Sequence, residues 1–289
     1  MNDRSDLLRI THRTVYRYAE PVTFQPHRLV MRPREGHDLR VEHLTMNISP
    51  RCQLVWSRDV FGNSIAQAYF TEPADVLQIE SNVTVRRFLP STSPPLPSPA
   101  TVPYPVQYDA LEQAVVGGYV APVFPEEGIT VQTWLRTQQT ADTQDSAADF
   151  VMQLTAKVHA AIAYRRREEK GVQSPAATLT LGTGSCRDLA TLLMESLRHL
   201  GLAARFASGY LDCAGTRAAH GVTHAWTEVY FPNLGWRGYD ATTGEPCTHQ
   251  HIVVGVSNHP RGVMPISGKY LGPWSAFLGM DVTVAFSEA

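Results

Sequence analysis

Between Gly184 and Gly201 the chain commits to a helix whose first turn holds a cysteine. Leu189, Leu192, Leu193, Leu197 and Leu200 recur at three- and four-residue steps, and Gly201 stands where a left-handed residue ends a helix. Cys186 therefore opens the helix, and the path that follows is constrained. The small and apolar run Ala203–Leu211 suits a buried strand climbing back, after which a polar loop, Asp212–Thr223, crosses the top. His224–Phe231 reads as a descending strand, Pro232-Asn233-Leu234-Gly235 as a turn, and Trp236–Asp240 as a strand returning upward. This course brings Cys186, His224 and Asp240 to one end of a domain. Strand side chains alternate between faces, so a plain four-residue turn would set His224 and Asp240 on opposite faces; a bulge or longer loop is required.

The three residue types make chemical sense together as a thiol nucleophile, its base and the base's orienter. A free thiol titrates near ~8.5, and a helix N-terminus contributes roughly 0.3–1 kcal/mol, under one pKa unit. The dipole alone is too weak to supply thiolate at neutral pH. A protonated His224 beside the sulfur supplies the rest, since thiolates paired with histidine reach values of about 3–4. Asp240 would accept a hydrogen bond from the other ring nitrogen and fix its tautomer and orientation.

Four stretches carry a resemblance to a known family: Gly184-Ser185-Cys186-Arg187-Asp188, Gly201-Leu202-Ala203-Ala204-Arg205-Phe206-Ala207-Ser208-Gly209-Tyr210, His224-Ala225-Trp226 and Gly238-Tyr239-Asp240-Ala241-Thr242-Thr243-Gly244. In this order, with steps of 38 and 16 residues between cysteine, histidine and aspartate, they resemble the nucleophile, strand, base and acid motifs of the bacterial transglutaminase-like superfamily, within the papain-like cysteine enzymes. The family usually has proline after the acid where this chain has Ala241, a departure that should alter the local turn more than the chemistry. The resemblance implies an α+β fold, with an antiparallel β-sandwich-like N-terminal domain and a papain-like transglutaminase core whose helix-borne cysteine packs on an antiparallel sheet. It also implies thiol-dependent acyl chemistry on a peptide or amide through a thioester. Water as acceptor gives a peptidase or amidase, which is favoured because bacterial relatives are often regarded as candidate cysteine proteases. An amine gives a transglutaminase or peptide ligase, and a non-catalytic binding module on the same fold is the third alternative. The resemblance further raises co-operation with peptide-forming ATP-grasp ligases, for which no residue here speaks.

Supporting residues follow from the chemistry. The backbone N–H of Cys186 is a natural donor to a tetrahedral oxyanion. In relatives an aromatic or amide side chain upstream of the nucleophile often serves as the second donor, which points to Tyr164 at the end of the preceding helix, although simple packing accounts for it equally well. Trp226 shares a strand face with His224 and either shields the pair from water or fills the core. Asp188 most simply stabilises the helix start.

At 289 residues the chain is long enough for two cores. Residues 1–89 read as a β-rich domain, with strands expected at Leu8–Tyr18, Val41–Ile48, Ser64–Phe70 and Val76–Arg87 and a turn at Phe61-Gly62-Asn63. Seven prolines between Pro90 and Pro105 mark a connector, placed at 90–106, because proline cannot supply a sheet's donors. The catalytic domain is assigned to 107–289. Within it Val131, Trp134 and Leu135 fit a short helix face, and Phe150, Leu154, Val158 and Ile162 a longer one that Asp145 or Ser146 could cap. Ile252–Val256 and Leu278–Phe286 look like returning strands, belonging either to the catalytic domain or to the N-terminal sheet.

Several classes are excluded or set aside. A net charge of −2 with 18% charged residues gives no footprint for nucleic acid, and Arg165-Arg166-Arg167, followed by Glu168-Glu169, reads as a solvated helix end. No apolar run of about 18 residues occurs and none follows Met1–Asp6, so a soluble, cytoplasmic protein without membrane association is expected. Cys52, Cys186, Cys213 and Cys247 lack the spacing of a disulfide framework. The rival cluster Cys247-Thr248-His249-Gln250-His251, with Cys213, His220 and His259 nearby, has soft ligands but no zinc spacing. Gly182-Thr183-Gly184-Ser185 lacks the lysine and glycine spacing of a phosphate loop. No cofactor and no metal enter the expected chemistry.

Overall fold

The computed structural model describes residues 5–88, 102–138, 146–167, 169, 171–212 and 222–288. Expectations for Asp145, Glu168, Cys213, His220, residues 89–101 of the proline-rich stretch and most of the loop after Asp212 fall outside the described residues.

The N-terminal part holds β1 (Ser5–Phe24), β2 (His27–Leu29), β3 (Leu39–Ser49), β4 (Cys52–Arg58), β5 (Ser64–Phe70) and β6 (Ala74–Phe88). In β6, Leu77, Ile79, Ser81, Val83, Val85 and Arg87 are buried in strict alternation, the period-two signature of a strand with one covered face. Antiparallel pairing sets Leu8 opposite Val85, Ile10 opposite Val83 and Thr14 opposite Ile79, so the apolar faces of β1 and β6 coincide. β3 continues the sheet beyond β6.

Then come α1 (Ala110–Val120), α2 (Gly128–Thr137), α3 (Ala147–Ala161), β7 (Ala163–Tyr164), α4 (Pro175–Leu181), β8 (Thr183–Gly184) and α5 (Cys186–His199). Ser146 caps α3 by accepting from the Asp149 N–H, and the Phe150, Leu154 and Val158 face is buried as the spacing predicts. The remaining strands are β9 (Ala204–Leu211), β10 (Val222–Phe231), β11 (Gly235–Asp240), β12 (Glu245–Pro246), β13 (His251–Ser257), β14 (Ile266–Ser267), β15 (Tyr270–Leu271) and β16 (Phe277–Glu288). A five-stranded antiparallel sheet runs in the order β12-β11-β10-β9-β13. Leu189, Leu192, Leu193 and Leu197 of α5 pack with Ala225, Val229 and Phe231 of β10 in its main core. Gly201, at φ 79°, ends the helix as its sequence requires.

The two returning strands part company. β13 joins the catalytic sheet beside β9, whereas β16 pairs with β1 and completes the N-terminal sheet. β14 and β15 likewise pair with β2 and β1. A continuous core follows, in which Leu8, Ile10, Val83 and Val85 meet Tyr210, Ile252 and Val254. Polar ties reinforce it: Arg87 donates to Asp212 at 2.9 Å, and the Asn63 side chain both donates to the Val256 carbonyl and accepts from its N–H, at 2.8 and 2.9 Å. Phe61, from the expected turn, packs on the cluster around Trp226, so the N-terminal part covers the sheet face that Trp226 shares with His224. Among the described residues no helix is long and apolar enough to cross a membrane.

Candidate active site

Cys186 occupies the first position of α5, and the local sequence explains why the helix begins there. Asp188 at the third position reaches back to accept the Ser185 N–H at 2.8 Å and the Ser185 hydroxyl at 2.7 Å, the acid's half of a capping box. The same carboxylate accepts from Arg167 Nε at 2.8 Å and from the Gln173 N–H at 2.7 Å. Burial works against its charge, but these four donors prevail and hold its pKa below the usual carboxylate range. Of the arginine run expected to be solvated at a helix end, Arg165 and Arg166 are exposed, but the run lies beyond α3, which ends at Ala161, and Arg167, largely buried, is drawn in by Asp188.

Tyr164 lies beyond the helix rather than in it, on β7. That strand pairs in parallel with β8, setting Tyr164 opposite Gly184, two residues before the nucleophile. The side chain is 56% exposed. Partial burial of its hydroxyl, and then the charge of Cys186, push its pKa upward.

His224 and Asp240 meet as the chain course predicts, with His224 Nε2 2.7 Å from Asp240 Oδ2, both residues buried. The expected bulge or longer loop is not how they come to share a face. Pro232 and Asn233 (φ 65°) fill a turn closed by the Leu234 N–H on the Phe231 carbonyl at 3.1 Å, and Gly235 (φ 73°) enters the ladder opposite Phe231. The loop is thus shorter by one residue, and that parity change puts Asp240 on the face of Trp226 and His224. After Asp240 the chain, with Ala241 in the place where proline is usual, folds back through Gly244 N–H to Asp240 O at 2.8 Å, while the Thr242 N–H donates to Asp240 Oδ1 at 2.8 Å.

With Nε2 on Asp240, the ring nitrogen left over is Nδ1, and the Cys186 sulfur is close enough to act on the ring's charge. Burial disfavours the imidazolium, but the hydrogen bonds and charges of Asp240 and Cys186 override it and push the His224 pKa up to about 10. Asp240 shows the converse: burial opposes its charge, and His224 and His251 hold its pKa well below the ordinary value. Trp226 is buried with its ring centroid 6.3 Å from that of His224 and 5.2 Å from that of His251. It covers both rings and fills the core at once.

His251 is the residue that sequence reasoning missed. Grouped with Cys247 and His249 as a rival ligand cluster, it instead points its Nε2 at Asp240 Oδ2, 3.3 Å away. His224, Asp240 and His251 offer ligand atoms within 4.8 Å of one another, the one such set among the described residues, and both Nε2 atoms lie at hydrogen-bonding distance from the same carboxylate oxygen. Cys247 packs near Trp226 instead, and burial, then Asp240 and Glu228, push its thiol pKa upward. His259 caps the short turn at Pro260. A useful signal was available, because His251 opens the run Ile252–Val256 just as His224 opens its own strand.

Cys186 and His224 open onto a cleft of about 160 Å³, with Phe206, Val263 and Met264 among its apolar walls. Besides His224, the charged side chains among its described lining residues are Arg187 and Arg261.

A helix-borne cysteine facing a histidine–aspartate pair on an antiparallel sheet is the architecture of the papain-like cysteine enzymes. Residues 8–86 match the bacterial transglutaminase-like N-terminal region, and residues 135–241 match the transglutaminase-like superfamily. An uncharacterized protein of Mycobacterium tuberculosis is 30% identical over 278 residues, covering 90% of this chain and 86% of its own. One from Mycobacterium leprae is 34% identical over 105 residues, covering 35% of this chain and 37% of its own. The chain belongs to the bacterial transglutaminase-like family. Its fold is shared with a Cytophaga hutchinsonii protein described as a candidate cysteine protease, at a TM-score of 0.75 and 16% identity, over 99% of this chain and 92% of that one.

Proposed function

We propose that this protein is a cysteine hydrolase that cleaves a peptide or amide bond through a thioester on Cys186. The observation that carries the reading is the buried His224–Asp240 hydrogen bond of 2.7 Å beside a cysteine that opens a helix at the mouth of a cleft. Cys186 Sγ attacks the carbonyl carbon, and the tetrahedral oxyanion is met by the backbone N–H of Cys186 and by the Tyr164 hydroxyl. Collapse expels the amine, which takes a proton from His224, and Asp240 keeps the ring aligned throughout. Water, deprotonated by His224, then attacks the thioester, releasing the acid and restoring the thiol. A peptide or protein amide suits the apolar cleft, and a free nucleophilic thiol suits the reducing cytoplasm.

Hydrolysis rather than transfer follows from competition. Water is present at ~55 M, so a transferase must hold its amine at an effective concentration that positioning can raise to about 10⁵ M. The described cleft residues include no carboxylate that would seat an ammonium acceptor. The test is to form the acyl-enzyme, add lysine, polyamine or peptide amine, and follow free acid and amide by mass spectrometry. Mostly free acid at millimolar amine is the expected result; mostly amide would make the protein a transglutaminase or ligase.

A further inference from the structure

Asp240 carries more than the orienting bond to His224. Its Oδ2 faces two imidazoles, His224 Nε2 at 2.7 Å and His251 Nε2 at 3.3 Å, while Oδ1 accepts the Thr242 N–H at 2.8 Å. The tautomer of His251 is settled by its other side. The Thr248 backbone N–H donates to His251 Nδ1 at 3.1 Å, so Nδ1 carries a lone pair and the ring hydrogen sits on Nε2, aimed at the carboxylate. Trp226 packs edge-to-face against the same ring, and His251 lies opposite Leu211 in the β13–β9 ladder, so both its backbone and its plane are fixed.

We propose that His251 is a positioning residue for acyl transfer, its Nε2–H locking the Asp240 carboxylate so that Oδ2 stays on His224. The inference rests on the hydrolase reading above. A carboxylate held only by Thr242 and His224 can rotate about its terminal bond, and His224 then loses alignment with Cys186. With His251 in place the buried carboxylate has three donors from three different chain segments, β10, the turn after β11 and the start of β13. Among the described residues the titratable groups that act on this pair are His224 and, through it, Cys186, together with the Cys247 thiol, on which Glu228 also acts.

The experiment compares His251→Gln, which keeps an N–H donor, with His251→Met, which has similar length and none. His251→Met should lower kcat roughly ten- to hundredfold, the size of one charge-assisted hydrogen bond, with KM little changed. Its alkaline limb should move to lower pH, because the Asp240 carboxylate, free to turn, no longer keeps Oδ2 on the His224 ring, and His251→Gln should recover most of both effects. Proton NMR gives a readout that needs no turnover. The downfield imidazole N–H resonance of the His224–Asp240 bond should persist in the parent and in His251→Gln, and shift upfield or broaden in His251→Met. An unchanged resonance, or a His251→Met enzyme within twofold of the parent with an unmoved pH profile, overturns the proposal. If the parent proves inert while the resonance still responds to His251→Met, the hydrolase reading fails and the positioning of Asp240 stands.

Discussion

Replacing Asp188 with alanine should unlock the helix that presents the nucleophile. Asp188 is fully buried and accepts from Arg167 Nε, the Gln173 N–H, and the N–H and hydroxyl of Ser185, all at 2.7–2.8 Å, with a longer fifth bond from Arg167 Nη2 at 3.4 Å. Its removal leaves a largely buried guanidinium with only the exposed Glu169 and the Gly171 carbonyl as partners, which costs up to roughly 3–5 kcal/mol, and also takes away a helix cap of about 1 kcal/mol; because the two share donors, about 4 kcal/mol is the upper figure expected. At roughly 2–3 °C per kcal/mol for a chain of this size, the melting temperature should fall by up to about 10 °C. Urea titrations followed by circular dichroism measure the loss. The double variant Arg167→Met/Asp188→Leu should cost less than Asp188→Ala alone, since no charge is then left unpaired. The pH dependence has a fixed sign. Because the folded carboxyl lies below 3.8, its contribution is full above that value and fades as pH falls below it, so parent and Asp188→Ala should converge in acid. A loss under about 1 kcal/mol at neutral pH, or a double variant no better than the single one, would refute the reasoning.

Three further outcomes follow from the site. Iodoacetamide at pH 6.5 should label Cys186 before Cys52 and Cys247, whose thiols are pushed up in pKa by burial and, for Cys247, by Asp240 as well; equal labelling in peptide maps would contradict the activated thiol. The alkaline limb of kcat/KM should lie near the His224 value of about 10, and Asp240→Asn, with its rate reduced but measurable, should bring that limb down toward 6.5 in a pH-rate series. Arg261→Glu should lower kcat/KM about fivefold for amides bearing a carboxylate, the ~1 kcal/mol of an exposed ion pair, and leave neutral amides unchanged in parallel kinetic assays.

What could be read from the sequence was the part written in local pattern. The leucine spacing of α5, the Gly201 stop and the strands carrying His224 and Asp240 needed no tertiary information. The hairpin between them was harder, because one residue decides which face Asp240 takes, and turn chemistry at Pro232, Asn233 and Gly235 decides that residue. α1 was missed because its face has no apolar period: Val116 is its one buried residue, and Gly117-Gly118 sit inside it. α4, at seven residues, is too short to show a period, though Ser174 and Pro175 are helix-start signals. β2, of three residues, and the largely exposed β4 carry little alternation to read. The roles of His251 and Arg167 were missed for a common reason. Their partners, Asp240 and Asp188, lie 11 and 21 residues away and are reached through folded geometry rather than through spacing.

The central claim is that Cys186, served by His224, forms a covalent acyl intermediate. Intact-mass spectrometry after rapid mixing with a panel of activated amide and thioester donors tests it most directly, with Cys186→Ala and His224→Ala as companions whose fold is checked by circular dichroism. The account predicts a single acyl adduct on the parent that maps to Cys186 and decays to free acid, no adduct on Cys186→Ala, and almost none on His224→Ala. An adduct of equal yield on Cys186→Ala, or one that maps to Cys52 or Cys247 in the parent, would contradict it.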